Sequence, residues 1–424
     1  MSSAVATTIP TEHEARAPTR VRIKFVVELA RRLHEYGTTA PRLEDAVNLV
    51  SARLELECNV LSTPTSIVMS FADLDPSAHR LAEVTQVVRL PPGEVNLKRL
   101  CIVDDIADDV IAGNMDIDEG FRLLQSIGAR KPRFVSKVFS VLAYGVTSAC
   151  VAAILLTGWS GIATAGLVGL LIGLTSLVAA NHPAISAAFE AISALVATLV
   201  ATMVAVWLVP VQVRSVVIAS LVVLLPGIGL TTAVRELSSQ HLISGTARMA
   251  GAMASLLKLA FGTVAAAQVA ALFGLIPPNI PPIPVAAWSE WFVVPIAAVA
   301  IAVIFKSPLR YFPVVVGSVI LGYVCTRIGG TYMPTGFGVF LGGLTLGALS
   351  NAFARLAGQP GALIREPGII LLVPGSVGFR TLTFVFERDV MMGLDTAGTL
   401  VALLIALVAG LLFGDLLIPP RRKL

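Results

Sequence analysis

A mainly α-helical polytopic membrane protein, preceded by a small α+β cytoplasmic domain, is the fold class this sequence predicts, and three observations predict it. Of its 424 residues 55% are hydrophobic and only 14% charged, with a mean hydropathy of +0.83. Soluble domains run nearer a quarter charged, so a chain this apolar cannot hide its surface in a water-soluble core. Polar sequence of mixed pattern ends near residue 130, and apolar segments of spanning length then follow one another to residue 418. Two of these segments are broken by Pro-Gly: Ile369 to Arg380, with Pro374-Gly375-Ser376, and Leu221 to Leu230, with Pro226-Gly227. The breaks lie about 150 residues apart, and paired Gly/Pro breaks in matching segments mark the binding sites of repeat-built transporters.

Residues 1 to 20 are rich in Thr, Pro and Ala and lack an apolar run, which predicts a disordered leader rather than a signal peptide, with the N-terminus inside. Residues 21–130 read as the α+β domain. Ile23, Val26, Val27, Ala30 and Leu33, then Leu43, Ala46, Val47, Val50 and Leu54, recur at helical spacing, and Gly37 stops the first helix. β-type runs at 59–61, 66–71 and 84–90 are separated by turn chemistry at Pro64, at Asp73 to Pro76 and at Pro91-Pro92-Gly93. Asn96 caps a helix from Leu97 to Ile111, and Asp116 or Asp118 begins another. In the first of these, Asp104 with Asp108 and Asp105 with Asp109 form i,i+4 carboxylate pairs; a divalent cation is one reading, and a solvated acidic face the favoured one. His34 and His79 read as surface residues.

Ten apolar segments follow, near 138–157, 161–180, 184–208, 213–233, 247–275, 291–305, 312–327, 335–354, 363–385 and 396–418. They divide into a first membrane module (138–275), a proline-rich connector (276–290) and a second module (291–418), followed by a basic tail (419–424). Arg130, Lys131, Arg133 and Lys137 precede the first segment and Arg421, Arg422 and Lys423 follow the last, which places both termini in the cytoplasm. Alternate crossing then leaves Arg235, Arg248, Lys306, Arg310, Arg355 and Arg365 inside, against Arg214, Arg327, Arg380 and Arg388 outside, with the connector around Asn279 outside. Five segments per module is an odd number, so the two modules form inverted repeats and their breaks face opposite sides of the bilayer. Gly245 matches Gly393 and Gly262 matches Gly410 on the same alignment.

The net charge of +4 is spread over segment ends with no aromatic-interleaved basic patch, which excludes nucleic acid as a partner. Four cysteines, Cys58, Cys101, Cys150 and Cys325, lack CxxC spacing and read as free thiols, with neither a disulfide framework nor a zinc site. No phosphate-binding Gly-rich loop ending in Lys-Ser/Thr is present, which argues against a primary pump. A break frees backbone donors at a half-helix N-terminus, suited to a carboxylate, and carbonyls on the other side, suited to an ammonium or a cation. An amino acid offers both groups and a dicarboxylate only the first.

Ionisable residues inside or beside the segments are candidates because they are costly at membrane depth. Glu190 is expected within the third segment, facing the interior. Arg235 and Glu236 follow the first break, and Glu387, Arg388 and Asp389 follow the second. Lys258 reads as a snorkelling residue, Asp395 and Asp415 lie near the ends of the last segment, and Gly342-Gly343, Gly347 and Ala348 read as helix-packing residues.

From about Phe25 to Leu417 the chain resembles the threonine/serine exporter family in its fused form. The motifs that carry the resemblance are Gly37 to Glu44, Thr63 to Ile67 and Pro91 to Leu97 in the first domain, Leu224-Leu225-Pro226-Gly227 with Arg235-Glu236-Leu237 and Ser244 to Arg248 in the first module, and Leu372 to Arg380 in the second. Glu190 has no clear family position. The resemblance implies export of threonine and serine driven by the proton motive force across the bacterial cytoplasmic membrane, with split relatives implicated in dicarboxylate export and no chemistry on the substrate. No cofactor or metal is expected. Pro226, Gly227, Pro374, Gly375, Ser376, Arg235 and Arg380 are the expected substrate-binding residues, and Glu236, Glu190, Glu387 and Asp389 the expected proton-coupling residues. The lipid bilayer, protons and the small-molecule substrate are the expected partners, and self-association is left open. Two competing classes remain: a membrane-tethered enzyme or sensor acting through residues 21–130, and a channel without proton coupling.

Overall fold

The computed structural model describes residues 18–73, 84–129, 134–278, 286–332, 336–372 and 374–420. The leader up to residue 17, the turn at Asp75-Pro76, His79, Arg130 to Arg133, the connector around Asn279, Val373 in the second break and the last four residues lie outside the described residues.

The first domain begins with α1 (Thr19–Glu35) and α2 (Ala40–Arg53), continues through β1 (Leu56–Thr63), β2 (Ser66–Asp73) and β3 (Val84–Arg89), and ends with α3 (Leu97–Ile111) and α4 (Ile117–Ala129). The strands form an antiparallel sheet in the order β1-β2-β3. Ile67, Met69 and Phe71 alternate along β2 and are buried, so the period-two pattern puts one face of the sheet into the core. Phe25, Val26, Leu29, Ala30 and Leu33 of α1 fill the same core, as their helical spacing requires. Asn96 caps α3 by accepting from the Arg99 N–H at 3.2 Å. Gly37, at φ +82°, ends the turn that follows α1.

The rest is helical. Among the described residues, seven helices are long and apolar enough to cross a membrane. Six of them are α5 (Phe134–Ile154), α6 (Gly158–Ala179), α8 (Phe189–Trp207), α11 (Leu242–Leu272), α14 (Phe337–Ala357) and α17 (Val390–Leu417); the seventh is α13 (Phe312–Tyr332), which a short turn at Leu309–Tyr311 leads into. The sixth expected segment is the shorter α12 (Glu290–Ile304), which carries Pro295. The fourth and ninth are each split, into α9 (Val213–Leu221) with α10 (Gly227–Ser238), and α15 (Ala362–Ile369) with α16 (Gly375–Phe386). Ten apolar segments thus correspond to seven continuous helices of spanning length among the described residues, one shorter helix and two split pairs.

Three further expectations change. The third segment is interrupted, because α7 (Pro183–Ala187) stops before α8 begins, and Glu190 sits in the first turn of α8. Asp104 is not on a solvated face: it is 3% exposed and pairs with Arg42 at 2.9 Å. His34 is buried, its ring nitrogen 3.2 Å from the Pro91 carbonyl oxygen, and burial pushes its pKa down. The four cysteines are free thiols.

The two broken segments share local geometry. Pro226 and Pro374 precede α10 and α16 with nearly the same backbone, φ −77° and ψ 42° against φ −79° and ψ 36°. The turns after those helices each place a non-glycine residue in the left-handed region, Gln240 at φ 66° and Arg388 at φ 65°. Gly262 of α11 lies against the Ala191 backbone of α8, and Gly410 of α17 against the Phe340 backbone of α14. A Cβ on Gly410 would sit 2.2 Å from the Phe340 carbonyl oxygen, so only glycine permits that helix contact.

Candidate functional site: two facing broken helices

The first break unwinds the backbone from Val222 to Pro226, and α10 restarts at Gly227; the second does the same before Gly375 and α16. Proline suits this place because its fixed φ matches a helix entry and its missing N–H costs nothing there. The two restarts meet backbone to backbone. A Cβ on Gly375 would lie 3.2 Å from both Cα and N of Gly227 and 3.2 Å from the Leu225 Cβ. Thr231 is buried in the next turn and donates its hydroxyl to the Gly227 carbonyl at 3.1 Å. Gly378 of α16 faces Leu256 of α11 and Leu400 of α17, which close the apolar wall around the junction. Two helix N-termini, each with a partial positive charge and first-turn N–H groups, therefore converge on one point.

Pro374 and Gly375 are buried and Ser376 is half-buried, while Arg380 is exposed, a turn further along α16. Arg235 and Glu236, expected in substrate binding and proton coupling respectively, point to opposite partners. The Arg235 guanidinium donates to Asp415 of α17 at 2.7 Å, and Asn351 of α14 donates to the other Asp415 oxygen at 2.7 Å. Glu236 is 1% exposed and accepts from four donors: the Ala40 N–H at 3.1 Å, the Ser244 hydroxyl at 2.8 Å, and Arg248 through Nε at 3.1 Å and Nη2 at 3.2 Å. Ala40 begins α2, so this carboxylate ties the N-terminus of a first-domain helix to α10 and α11.

Other contacts continue the seam. Glu44 of α2 meets His241 at 3.2 Å, and Gln359 donates to Asp105 at 2.7 Å. The Leu97 and Lys98 amides each donate at 3.1 Å, to the Phe305 and Lys306 carbonyls after α12. The first domain is thereby fastened to the ends of α10, α12 and α15.

Glu190 faces Lys258 of α11 at 3.5 Å and accepts from Ser255 at 3.2 Å. Lys258 also donates to the Ala187 carbonyl at 3.0 Å, which ties it to the gap between α7 and α8. Glu387 pairs with Arg214 at 2.8 Å, joining the second module to the first, and Asp389 caps α17 by accepting from the Met392 N–H at 3.2 Å. Among the described residues no group of three or more His, Cys, Asp or Glu is arranged to hold a metal ion. Burial pushes the Cys101 thiol in α3 up to about 12, so it is not a nucleophile at neutral pH.

Sequence reasoning passed over Ser244 and Arg248 as partners of Glu236, because twelve positions and a helix reversal separate the carboxylate from the arginine. It also counted Arg365 as a loop charge, although an Arg-Glu pair beside an apolar run was the available signal.

Helices whose large apolar side chains stay uncovered, such as Leu272 at 84% and Leu416 at 74%, packed around two facing breaks, define a multi-pass membrane protein of transporter type. Two family models, both described as threonine/serine exporter, match residues 24–270 and 290–417, and the chain belongs to that family. Among curated proteins it is similar to pheromone-regulated membrane protein 10 of Zygosaccharomyces rouxii (28% identical, over 90% of this chain and 38% of the relative), of Eremothecium gossypii (27%, 85% and 49%) and of Saccharomyces cerevisiae (27%, 90% and 49%). The chain thus spans less than half the length of these yeast relatives. No solved structure matches it.

Proposed function

We propose that the protein is a secondary active exporter of small amino acids, threonine and serine, driven by the proton motive force. The observation that carries this reading is the meeting of Gly227 and Gly375, which brings two half-helix N-termini to one place where a substrate carboxylate finds donors without a permanent countercharge. Pro226, Gly227, Pro374, Gly375 and Ser376 form the substrate site, with Arg235 and Arg380 on the same two helices flanking it. The ten segments cross the membrane as two inverted five-segment repeats, each with one split member, and both termini are cytoplasmic. All four tryptophans, Trp159, Trp207, Trp288 and Trp291, are at least 65% exposed and fall at segment ends that this topology puts on one side, which fits those ends lying at a membrane interface. The membrane is read as a bacterial cytoplasmic membrane because the resemblance to the exporter family implies it, although the curated relatives are yeast membrane proteins.

Glu190 is the leading proton-coupling residue. One of its oxygens is buried without a hydrogen-bond partner and Lys258 stands beside it at 3.5 Å, a carboxylate less committed to fixed partners than Glu236. Glu236, already surrounded by four donors, is better suited to holding the first domain, and Glu387 and Asp389 are engaged in an ion pair and a helix cap. Proteoliposomes loaded with threonine, serine or succinate should release the amino acids faster under an imposed pH gradient. Release of succinate alone would assign the protein to dicarboxylate export, and gradient-independent release of all three would make it a channel.

A further inference from the structure

A small cavity of about 20 Å³ lies in the seam between the α1–α2 corner and the start of α15, with Tyr36, Thr38, Arg42, Ala362, Arg365 and Glu366 among its lining residues. It lies apart from the helix breaks. Arg42 is already paired with Asp104. Three other polar groups at the cavity are not engaged: the Tyr36 and Thr38 hydroxyls and the Arg365 Nε are all buried without a hydrogen-bond partner, and Thr38 as a whole is 9% exposed. Arg365 forms no ion pair with any described residue, its nearest opposite charges being Asp415, held by Arg235 and Asn351, and Glu366. Leaving a buried donor unpaired is costly, so the Thr38 hydroxyl and the Arg365 Nε at one cavity favour a ligand that accepts from both.

We propose that this cavity binds the carboxylate of a small organic acid from the cytoplasmic side, through the Arg365 guanidinium and the Thr38 hydroxyl. A guanidinium fork with a neighbouring hydroxyl matches the planar, two-oxygen geometry of a carboxylate. Glu366 stands beside it to receive an ammonium, which favours a zwitterionic amino acid over a dicarboxylate; this preference rests on the export reading, whereas the carboxylate site does not. Space for one or two water-sized groups admits the head of such a ligand and not the whole molecule. The α1–α2 corner and α15 must therefore part slightly on binding. Because the same corner carries Ala40, which Glu236 holds, occupancy is coupled to docking of the first domain. Because α15 leads into Pro374-Gly375, that coupling reaches the second break.

Hydrogen exchange of the full-length protein in nanodiscs, with L-threonine, succinate or acetate as probe, tests this. In the wild type a carboxylate should slow exchange of the 36–42 amides several-fold, and both T38V, which preserves shape, and R365K, which preserves charge but not the fork, should lose that protection. Protection equal to wild type in both variants, or absent with every probe in the wild type, overturns the site and leaves the cavity to water. Acetate or succinate protection that depends on Thr38 and Arg365, without a threonine effect, upholds the site while counting against amino-acid export. Threonine export with no protection by any probe upholds the exporter and sinks the site.

Discussion

Single side chains put carboxylates to two opposite uses. Glu190 keeps one oxygen without a hydrogen bond and one lysine partner at 3.5 Å. Glu190→Gln should leave substrate exchange across proteoliposomes intact and abolish its acceleration by a pH gradient; unchanged gradient-driven export would move coupling elsewhere. Asp104, in the first domain, is held up at about 6 against an ordinary 3.8, chiefly by burial, with Asp108 and Asp105 adding and Arg42 opposing. Between those pH values the folded protein keeps a proton that the unfolded chain has lost. Its contribution to stability is therefore full below about 3.8 and lost as pH rises through about 6, up to roughly 3 kcal/mol in all. Asp104→Asn should remove that share of the pH dependence, read as a smaller change in melting temperature of the full-length protein between pH 5 and pH 7. An unaltered profile would mean that Asp104 is ionised throughout.

At the scale of elements, the split segments are the unusual parts. An unwound backbone in an apolar setting survives only where protein or a water-lined cavity satisfies its polar groups. Here the carbonyl of Gly227 takes the Thr231 hydroxyl, and the Gly227 amide donates to Leu225 at 2.8 Å. A side chain at Gly375 would meet Gly227 and Leu225 at 3.2 Å, so the facing helix would have to give way. Gly375→Leu should drive α10 and α16 apart and cut transport at least tenfold while the protein still inserts and elutes as wild type; transport at the wild-type rate would show that the junction is not the substrate path. By contrast α14 and α17 use Gly343, Gly347, Gly410 and Gly414 for close packing alone, where the neighbouring atoms are backbone of the facing helix.

For the molecule as a whole, the first domain is fastened to one end of the helical bundle through Glu236, His241, Phe305, Lys306 and Gln359. All five lie in stretches that charge asymmetry places in the cytoplasm, so domain docking and the positive-inside bias agree. A single cysteine introduced as Leu275→Cys, with the four native cysteines replaced, should react with an impermeant reagent added outside intact cells. Labelling only after the cytoplasmic side is opened would reverse the orientation. The seam also buries ionic contacts, and losing one partner of such a contact costs about 3–5 kcal/mol, so its integrity bears on more than local order.

Local and periodic features were legible in the chain itself. Composition set the membrane class, the 3.6-residue pattern and Asn96 located α1 to α3, the alternating runs located the sheet, and Pro226-Gly227 and Pro374-Gly375 announced the breaks, because each of these depends on residues close in sequence. What the chain could not show was who faces whom. That the two breaks touch, that Arg235 turns to Asp415 while adjacent Glu236 turns to Arg248 and Ala40, that Glu190 opens a helix and meets Lys258, and that Asp104 is buried against Arg42 all depend on pairings between residues distant along the chain. Such pairings leave no period in one sequence. Neighbouring charges on a helix point in different directions, and only the packing of the whole bundle decides which partner each one meets.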